Sequence, residues 1–326
     1  MIVSYDTIMK PPYEITSSIL KLIATISEKI GEVNALHLQR PPTELRKKNR
    51  IKTIQSSLEI EGNTLSFEQI TALMDNKRVL APKKDILEVK NAITTYDQLN
   101  EFNFASFISL CKAHKLLMND LVEYPGKLRT NSVGIVKGNK LAHAAPPHKL
   151  VKALLNSLFD YLKKDLDILL IKSCVFHYEF EFIHPFMDGN GRMGRLWQTL
   201  ILKEYSPVFE FLPIELIIKQ QQKEYYRALS LSDKQGKSTA FIEFMLRVIN
   251  QALEDVLKTQ NKTLSNEERI NLFKEQIKKK PFTRQVYLRF FKEISPATAS
   301  RDLKQTFDLG LLKKSGDKNT TEYWFI

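Results

Sequence analysis

Twelve consecutive residues carry the densest chemistry in the chain: His184-Pro185-Phe186-Met187-Asp188-Gly189-Asn190-Gly191-Arg192-Met193-Gly194-Arg195. They bring together an imidazole, a carboxylate, a carboxamide, three glycines and two guanidiniums. His184 is the one group here whose unperturbed pKa lies near neutrality, so it is the natural general base. Gly189 and Gly191 permit tight backbone geometry and close approach of a ligand, and Asn190 tolerates unusual dihedrals or can open a helix. A helix starting at this point directs unpaired N–H groups outward and forms an anion site. Arg192 and Arg195, three apart, share one face of that helix. Arginines gain nothing from the positive end of a helix dipole, so an anion must offset them. The pattern calls for a polyphosphate, with Asp188 holding a divalent cation beside it. A Walker-type loop is excluded, because no GxxxxGK[ST] pattern occurs and no lysine follows these glycines.

The surrounding elements must hold this cluster in place. Residues 166–183 are largely apolar and read as a buried element, and 196–202 read as the body of a helix. The polar groups therefore fall at a turn between two packed elements, where scaffolding can fix loop chemistry. Upstream, Ile19, Leu22, Ile23, Ile26, Ile30, Val33 and Leu36 place an amphipathic helix over 15–38. A second helix over 44–60 stops at Glu61-Gly62-Asn63. Glu61 thus sits at a helix C-terminus, against the dipole; it is either a solvated glutamate or one repaired by a distant cation. Helices follow over 66–79, with Ser66 and Gln69 as capping box, and over 85–99 and 104–118. Between Pro125-Gly126 and Pro146-Pro147, the stretch Val133 to Val136 reads as a small hairpin, either a flap over a substrate or a structural loop. Further helices are expected over 148–162, 213–231 and 238–257, with a linker at 258–262. His177 reads as a hydrogen-bonded core histidine.

The tail has its own layout. Helices over 267–278, 283–291 and 296–307 precede a hairpin over 313–326, the arrangement of a winged helix-turn-helix. Its third helix would present Thr298, Ser300, Arg301 and Lys304 to DNA, the alternative being a docking or oligomerisation module. Of the formal net charge of +12, residues 262–326 hold fourteen basic and eight acidic groups, so half of the excess lies in the last fifth of the chain. A chain of 326 residues with 43% hydrophobic and 26% charged content suits a soluble main core plus a smaller module. The sequence shows neither an apolar run long enough for a membrane span nor a secretory signal, and two cysteines in apolar context read as thiols; a cytoplasmic protein is expected.

The stretch His184 to Arg195 resembles the core signature of the Fic family of nucleotidyl transferases, HPFxDGNGRxxR, at every fixed position. Pro125-Gly126, Leu128-Arg129 and the strand around Ser132, Val133, Gly134 and Ile135 resemble the family's target-positioning flap, and Pro146-Pro147 and Tyr225-Tyr226 continue the likeness. Together residues 10–255 resemble a Fic protein with its N-terminal helical region. The implied fold is mainly α: a Fic helical core with a small β-hairpin flap, plus a C-terminal winged helix domain. The implied division is an N-terminal helical region with an inhibitory helix at 1–110, a catalytic core at 111–258 and a winged helix-turn-helix domain at 263–326. The resemblance implies transfer of AMP from ATP to a protein hydroxyl. His184 would be the base, Asp188 the Mg²⁺ ligand, and Phe186 the anchor of the loop. Gly189, Asn190, Gly191 and Arg192 would cradle the α- and β-phosphates, and Arg195 would meet the γ-phosphate. Ser57-Leu58-Glu59-Ile60-Glu61-Gly62 resembles the family's inhibitory motif, [S/T]xxxE[G/N], which implies that Glu61 pairs with Arg195 and that Ser57 braces Glu61. The same motif can serve removal of AMP, and a DNA-binding regulator with a self-modifying Fic domain is a third reading. Expected partners are a target protein bearing a hydroxyl, the enzyme itself, and DNA; whether Glu61 comes from the same chain or from the other subunit of a homodimer stays open.

Overall fold

The computed structural model describes residues 10–35, 43–132, 134–137, 140–260, 265–278, 280–291, 294–317 and 321–326, of which 44, 134–137, 140–144 and 259–260 are described by their backbone alone. Among these, the N-terminal half carries α1 (Ser17–Ala35), α2 (Thr43–Ile60), α3 (Phe67–Met74), α4 (Lys83–Asp97) and α5 (Phe107–Leu117). The hairpin β1 (Gly134–Lys137) and β2 (Lys140–Ala144) follows, then α6 (His148–Lys164), α7 (Leu169–Ile183) and α8 (Asn190–Tyr205). Next come α9 (Ile214–Gln220), α10 (Gln222–Gln235) and α11 (Thr239–Gln260). The tail holds α12 (Asn266–Ile277), β3 (Phe282–Thr283), α13 (Arg284–Phe290), α14 (Pro296–Asp308), β4 (Leu312–Ser315) and β5 (Glu322–Phe325).

The central pair is α7 and α8. α7 has eleven of its fifteen residues buried, and α8 twelve of sixteen. A helix buried on nearly every side must be enclosed by its neighbours, and the other helices do this. The polar side chains Asn190, Arg192, Arg195 and Gln198 that α8 buries are met by hydrogen bonds. Trp197, fully buried on α8, donates its indole N–H to the carbonyl of Phe104 at 2.8 Å, so the largest core side chain leaves no polar group unmet. One continuous core runs from Ile19 on α1 to Leu257 on α11. The N-terminal helices are therefore packed into the same core as the central motif. His177, fully buried, is bonded to Gln198 and Tyr225, and burial lowers its pKa to about 3. Cys174 is buried and Cys111 half-buried, both as free thiols.

The boundaries depart from the periodicity in three places. α3 ends at Met74, short of 79, because Asn76 takes a positive φ of 57° just past its C-cap. The stretch expected as one helix over 213–231 is two, α9 and α10, separated by Gln221 at ψ 33°. α11 continues into the expected linker through Gln260, supported by Lys258 pairing with Glu254 one turn earlier; residues 261 and 262 lie outside the described residues.

The expected internal hairpin is present, with β1 antiparallel to β2 and Gly134 opposite Ala144. The tail closes on the expected β-hairpin, β4 against β5, with Gly316 at φ 84° after β4. β3 was not expected: its two residues pair with β5 and give the strand order β3-β5-β4. A run that short carries no alternation to read. Phe273, Phe282, Tyr287, Leu303, Leu312 and Phe325 form a separate small core here. Among the described residues, no helix is long and apolar enough to cross a membrane.

Candidate active site

The site is the turn from α7 to α8. His184 caps α7 in the left-handed region, at φ 49° and ψ 61°, a conformation that costs a non-glycine residue free energy and must be held by its surroundings. Arg129 does the holding. Its Nε donates to the His184 carbonyl at 2.7 Å, its Nη2 to that of Ile183 at 3.2 Å, and its backbone N–H to that of Pro185 at 2.9 Å. The same guanidinium donates to the carbonyls of Asn131 and Pro146, which flank the hairpin. One buried cation thus registers the expected general base against the foot of the hairpin.

From inside the core, Phe186 is fully buried and stacks on His114, with ring centroids 3.7 Å apart and planes 12° from parallel. His114 Nδ1 accepts from the Gly126 N–H at 2.8 Å, so the proton sits on Nε2, which donates to the Asp188 carbonyl at 3.0 Å. Burial lowers the His114 pKa to about 4 despite the upward pull of that carbonyl, so the ring is neutral at physiological pH. The Asn190 carboxamide is committed to the loop as well: it accepts from the Phe186 N–H and donates to the Phe186 carbonyl, each at 2.9 Å. Its side chain is therefore a brace; what the helix start offers an anion is the backbone N–H groups of Asn190, Gly191 and Arg192.

Gly189, the N-cap of α8, is required twice over. Its φ is 82°, and a Cβ there would lie 2.6 Å from Met118 Sδ. Gly189→Ala is expected to lower stability by about 1–3 kcal/mol, seen as a reduced urea midpoint at unchanged slope. A midpoint equal to that of the parent would refute this account of the turn.

The two arginines of α8 are both buried, and each is met by carboxylate. Arg195, 2% exposed, donates from Nε to Ser57 Oγ at 3.0 Å, and from Nη2 to the Ser57 carbonyl at 2.9 Å and to Glu61 Oε1 at 2.7 Å. Burial, the largest single influence, disfavours its charge, but Glu61, foremost among the neighbours, together with Tyr225 and Glu181 holds its pKa above the usual arginine value. The pairing expected between Glu61 and Arg195 is present within one chain. Ser57 stands otherwise than expected: it braces Arg195 and not Glu61, because its hydroxyl and carbonyl face the guanidinium. A Cβ on Gly191 would lie 2.4 Å from Glu61 Oε1, so the carboxylate rests directly on the helix start where an anion would bind.

Arg192, 5% exposed, donates from Nη2 to Asp188 Oδ1 and from Nη1 to Glu88 Oε1, each at 3.2 Å. Asp188 also accepts from the Gly189 N–H at 2.6 Å, and its side chain is 57% exposed. One accessible carboxylate suits Mg²⁺, which keeps most of its water and takes its remaining ligands from phosphate. Of the residues expected to form a flap, Ser132 is exposed, Gly134 and Ile135 form the start of β1, and Val133 lies outside the described residues. On α14, Arg301 and Lys304 are exposed and Thr298 and Ser300 half-buried, far in sequence from the motif. Sequence reasoning missed His114, Glu88 and a role for Arg129; a lone His, Glu or Arg on an ordinary helix or loop carries no spacing signal.

Comparison with known proteins bears directly on this arrangement. The Fic/DOC family model matches residues 106–202. The crystal structure of a Fic family protein from Desulfovibrio desulfuricans G20 is 38% identical, covering 97% of this chain and 98% of that one, with a TM-score of 0.75. The chain belongs to the Fic family. Its Fic motif is the α7–α8 turn described above. Protein adenylyltransferase fic-1 of Caenorhabditis briggsae is 27% identical over 281 residues, covering 79% of this chain and 52% of that protein. Protein adenylyltransferase Fic of Nematostella vectensis is 27% identical over 245 residues, covering 71% of this chain and 55% of that protein. This Fic chain spans about half the length of the curated relatives it matches.

Proposed function

We propose that this Fic protein is an autoinhibited protein adenylyltransferase, moving AMP from ATP to a Ser, Thr or Tyr hydroxyl of a target protein or of itself. The observation that carries the reading is the Glu61 carboxylate seated on Arg195 and over Gly191, an acid lodged in an anion site. A carboxylate there takes the place of a γ-phosphate oxygen, and the resting enzyme is nearly silent.

When Glu61 withdraws, the first-turn N–H groups of α8 and the two guanidiniums receive a triphosphate, with Arg195 on the γ-phosphate. Asp188, exposed beside the helix start, would hold Mg²⁺, which would supply charge neutralisation on the phosphates when bound. His184 then takes the proton of the incoming hydroxyl as its oxygen bonds to the α-phosphorus. The bond to the bridging oxygen of the β-phosphate breaks, and pyrophosphate leaves. The hairpin, tied through Arg129 to the His184 turn, positions the target segment. Incorporation of label from the α- but not the γ-phosphate of ATP tests the reading.

Removal of AMP is the second enzymatic reading. The Glu61 side chain is 34% exposed, so its carboxylate reaches solvent and can orient water. Release of AMP from an adenylylated target only while Glu61 is intact supports it.

For the tail we infer a winged helix-turn-helix: three helices and a three-stranded antiparallel sheet around one small core. Asp302 points inward to a buried bidentate pair with Arg269, at 2.6 and 2.8 Å, which leaves Arg301 and Lys304 on the open face of α14. Arg301→Ala and Lys304→Ala are each expected to weaken binding to duplex DNA by a few-fold at about 0.1 M salt and to lower the salt slope by roughly one. Binding that is undetectable, or independent of salt, counts against it.

A further inference from the structure

Both arginines of α8 face acids from the N-terminal half, Glu61 in the turn after α2 and Glu88 on α4, and the reading above uses only the first. The other is Glu88 on α4, 7% exposed and 3.2 Å from Arg192 Nη1. Its second oxygen accepts from Asn63 Nδ2 at 2.8 Å. Asn63, also 7% exposed, stands two residues after Glu61. Its amide further donates to the Asp85 carbonyl and accepts from the Leu65 N–H, each at 3.1 Å. Asn63 therefore cannot flip without losing both of those bonds. On the other side of the guanidinium, Nη2 meets the exposed Asp188, and the buried Nε has no hydrogen-bond partner among the described residues.

A guanidinium pinned from behind by a buried acid, with its Nε–H and one N–H on each Nη left over, is set for a further acceptor of anionic kind. Without Glu88 the same side chain would turn fully onto Asp188 and compete with a cation for it. We propose that Glu88 is a positioning residue: it fixes Arg192 so that its remaining donors address the nucleotide phosphates. Asn63 joins Glu88 to the turn that carries Glu61, so one polar cluster sets both arginines. This rests on the assignment of the α8 start as a triphosphate site.

The test is a double-mutant cycle in the full chain carrying Glu61→Gly, with Glu88→Gln, Arg192→Ala and both together. Equilibrium binding of MgATP and the single-turnover rate of α-label incorporation are measured for each. Glu88→Gln keeps the shape but turns an amide N–H on Asn63 or on Arg192, donor against donor. It is expected to weaken MgATP binding about tenfold and to slow labelling about tenfold, with the labelled amplitude unchanged; the double variant is no worse than Arg192→Ala alone. A loss of folded protein would lower amplitude and leave the rate and the nucleotide dependence intact. Additive losses in the cycle, or unchanged MgATP affinity in Glu88→Gln, overturn the proposal. Where Glu88→Gln fails to fold, Glu88→Asp, which retains the charge on a shorter arm, enters the same cycle under the same criteria. MgATP binding without α-label transfer in the Glu61→Gly parent would end the adenylyl-transfer reading, while the binding cycle still decides Glu88.

Discussion

Glu61→Gly raises incorporation of α-labelled AMP into protein by about two orders of magnitude over the unsubstituted chain. The change removes the carboxylate that lies on Gly191 and opens the space in front of Arg195. It leaves Arg195 in place, because Ser57 still receives two of its N–H groups through Oγ and the carbonyl. The guanidinium is then buried without its anion, and a γ-phosphate is the group best able to restore the charge balance. With the triphosphate seated, the α-phosphorus comes into line with an incoming hydroxyl, and alignment of that kind accounts for a factor of this size. Residue 61 follows the last residue of α2, so glycine there does not interrupt a helix. Filter-bound label from separately α- and γ-labelled ATP checks it. Equal labelling by the two proteins removes the inhibitory assignment, and label arriving from the γ-phosphate removes adenylylation itself.

His184→Ala, introduced into the Glu61→Gly chain, lowers the rate of labelling by roughly 10²–10⁴-fold, the range for loss of a positioned general base. MgATP affinity is expected to stay within a few-fold, because the phosphate cradle belongs to α8 and its own N–H groups. Alanine at φ 49° also strains the turn, so the comparison includes His184→Asn, a residue that accepts the left-handed conformation more readily and still lacks a base. Both variants losing the rate while both retain MgATP assigns the effect to the imidazole. Retained labelling in His184→Asn, with MgATP bound as before, would remove His184 from the chemistry. The two experiments together separate release of the site from the reaction it performs.

Much of this architecture is local and was legible in the chain before any coordinates. The apolar run into Ile183, the glycines after Asp188 and the apolar run from Leu196 specify a buried element, a turn and a helix. That the first element is α7, and not a strand, was left to the structure, because a run apolar on every side has no period to read. The same local logic located the ends of α2 and of the tail helices, since caps and turn residues act within four positions of themselves. The likeness of residues 57–62 to an inhibitory motif brought Glu61 to Arg195 across 134 positions, a distance no periodicity spans. Tertiary structure alone decided the rest. It turned Ser57 from Glu61 to Arg195, and it set Arg129 between the His184 turn and the hairpin. It stacked His114 under Phe186, and it brought Glu88 to Arg192 across 104 positions. Each of these is a buried polar group whose partner is chosen by how whole helices pack, and a residue type carries no record of which distant neighbour will satisfy it.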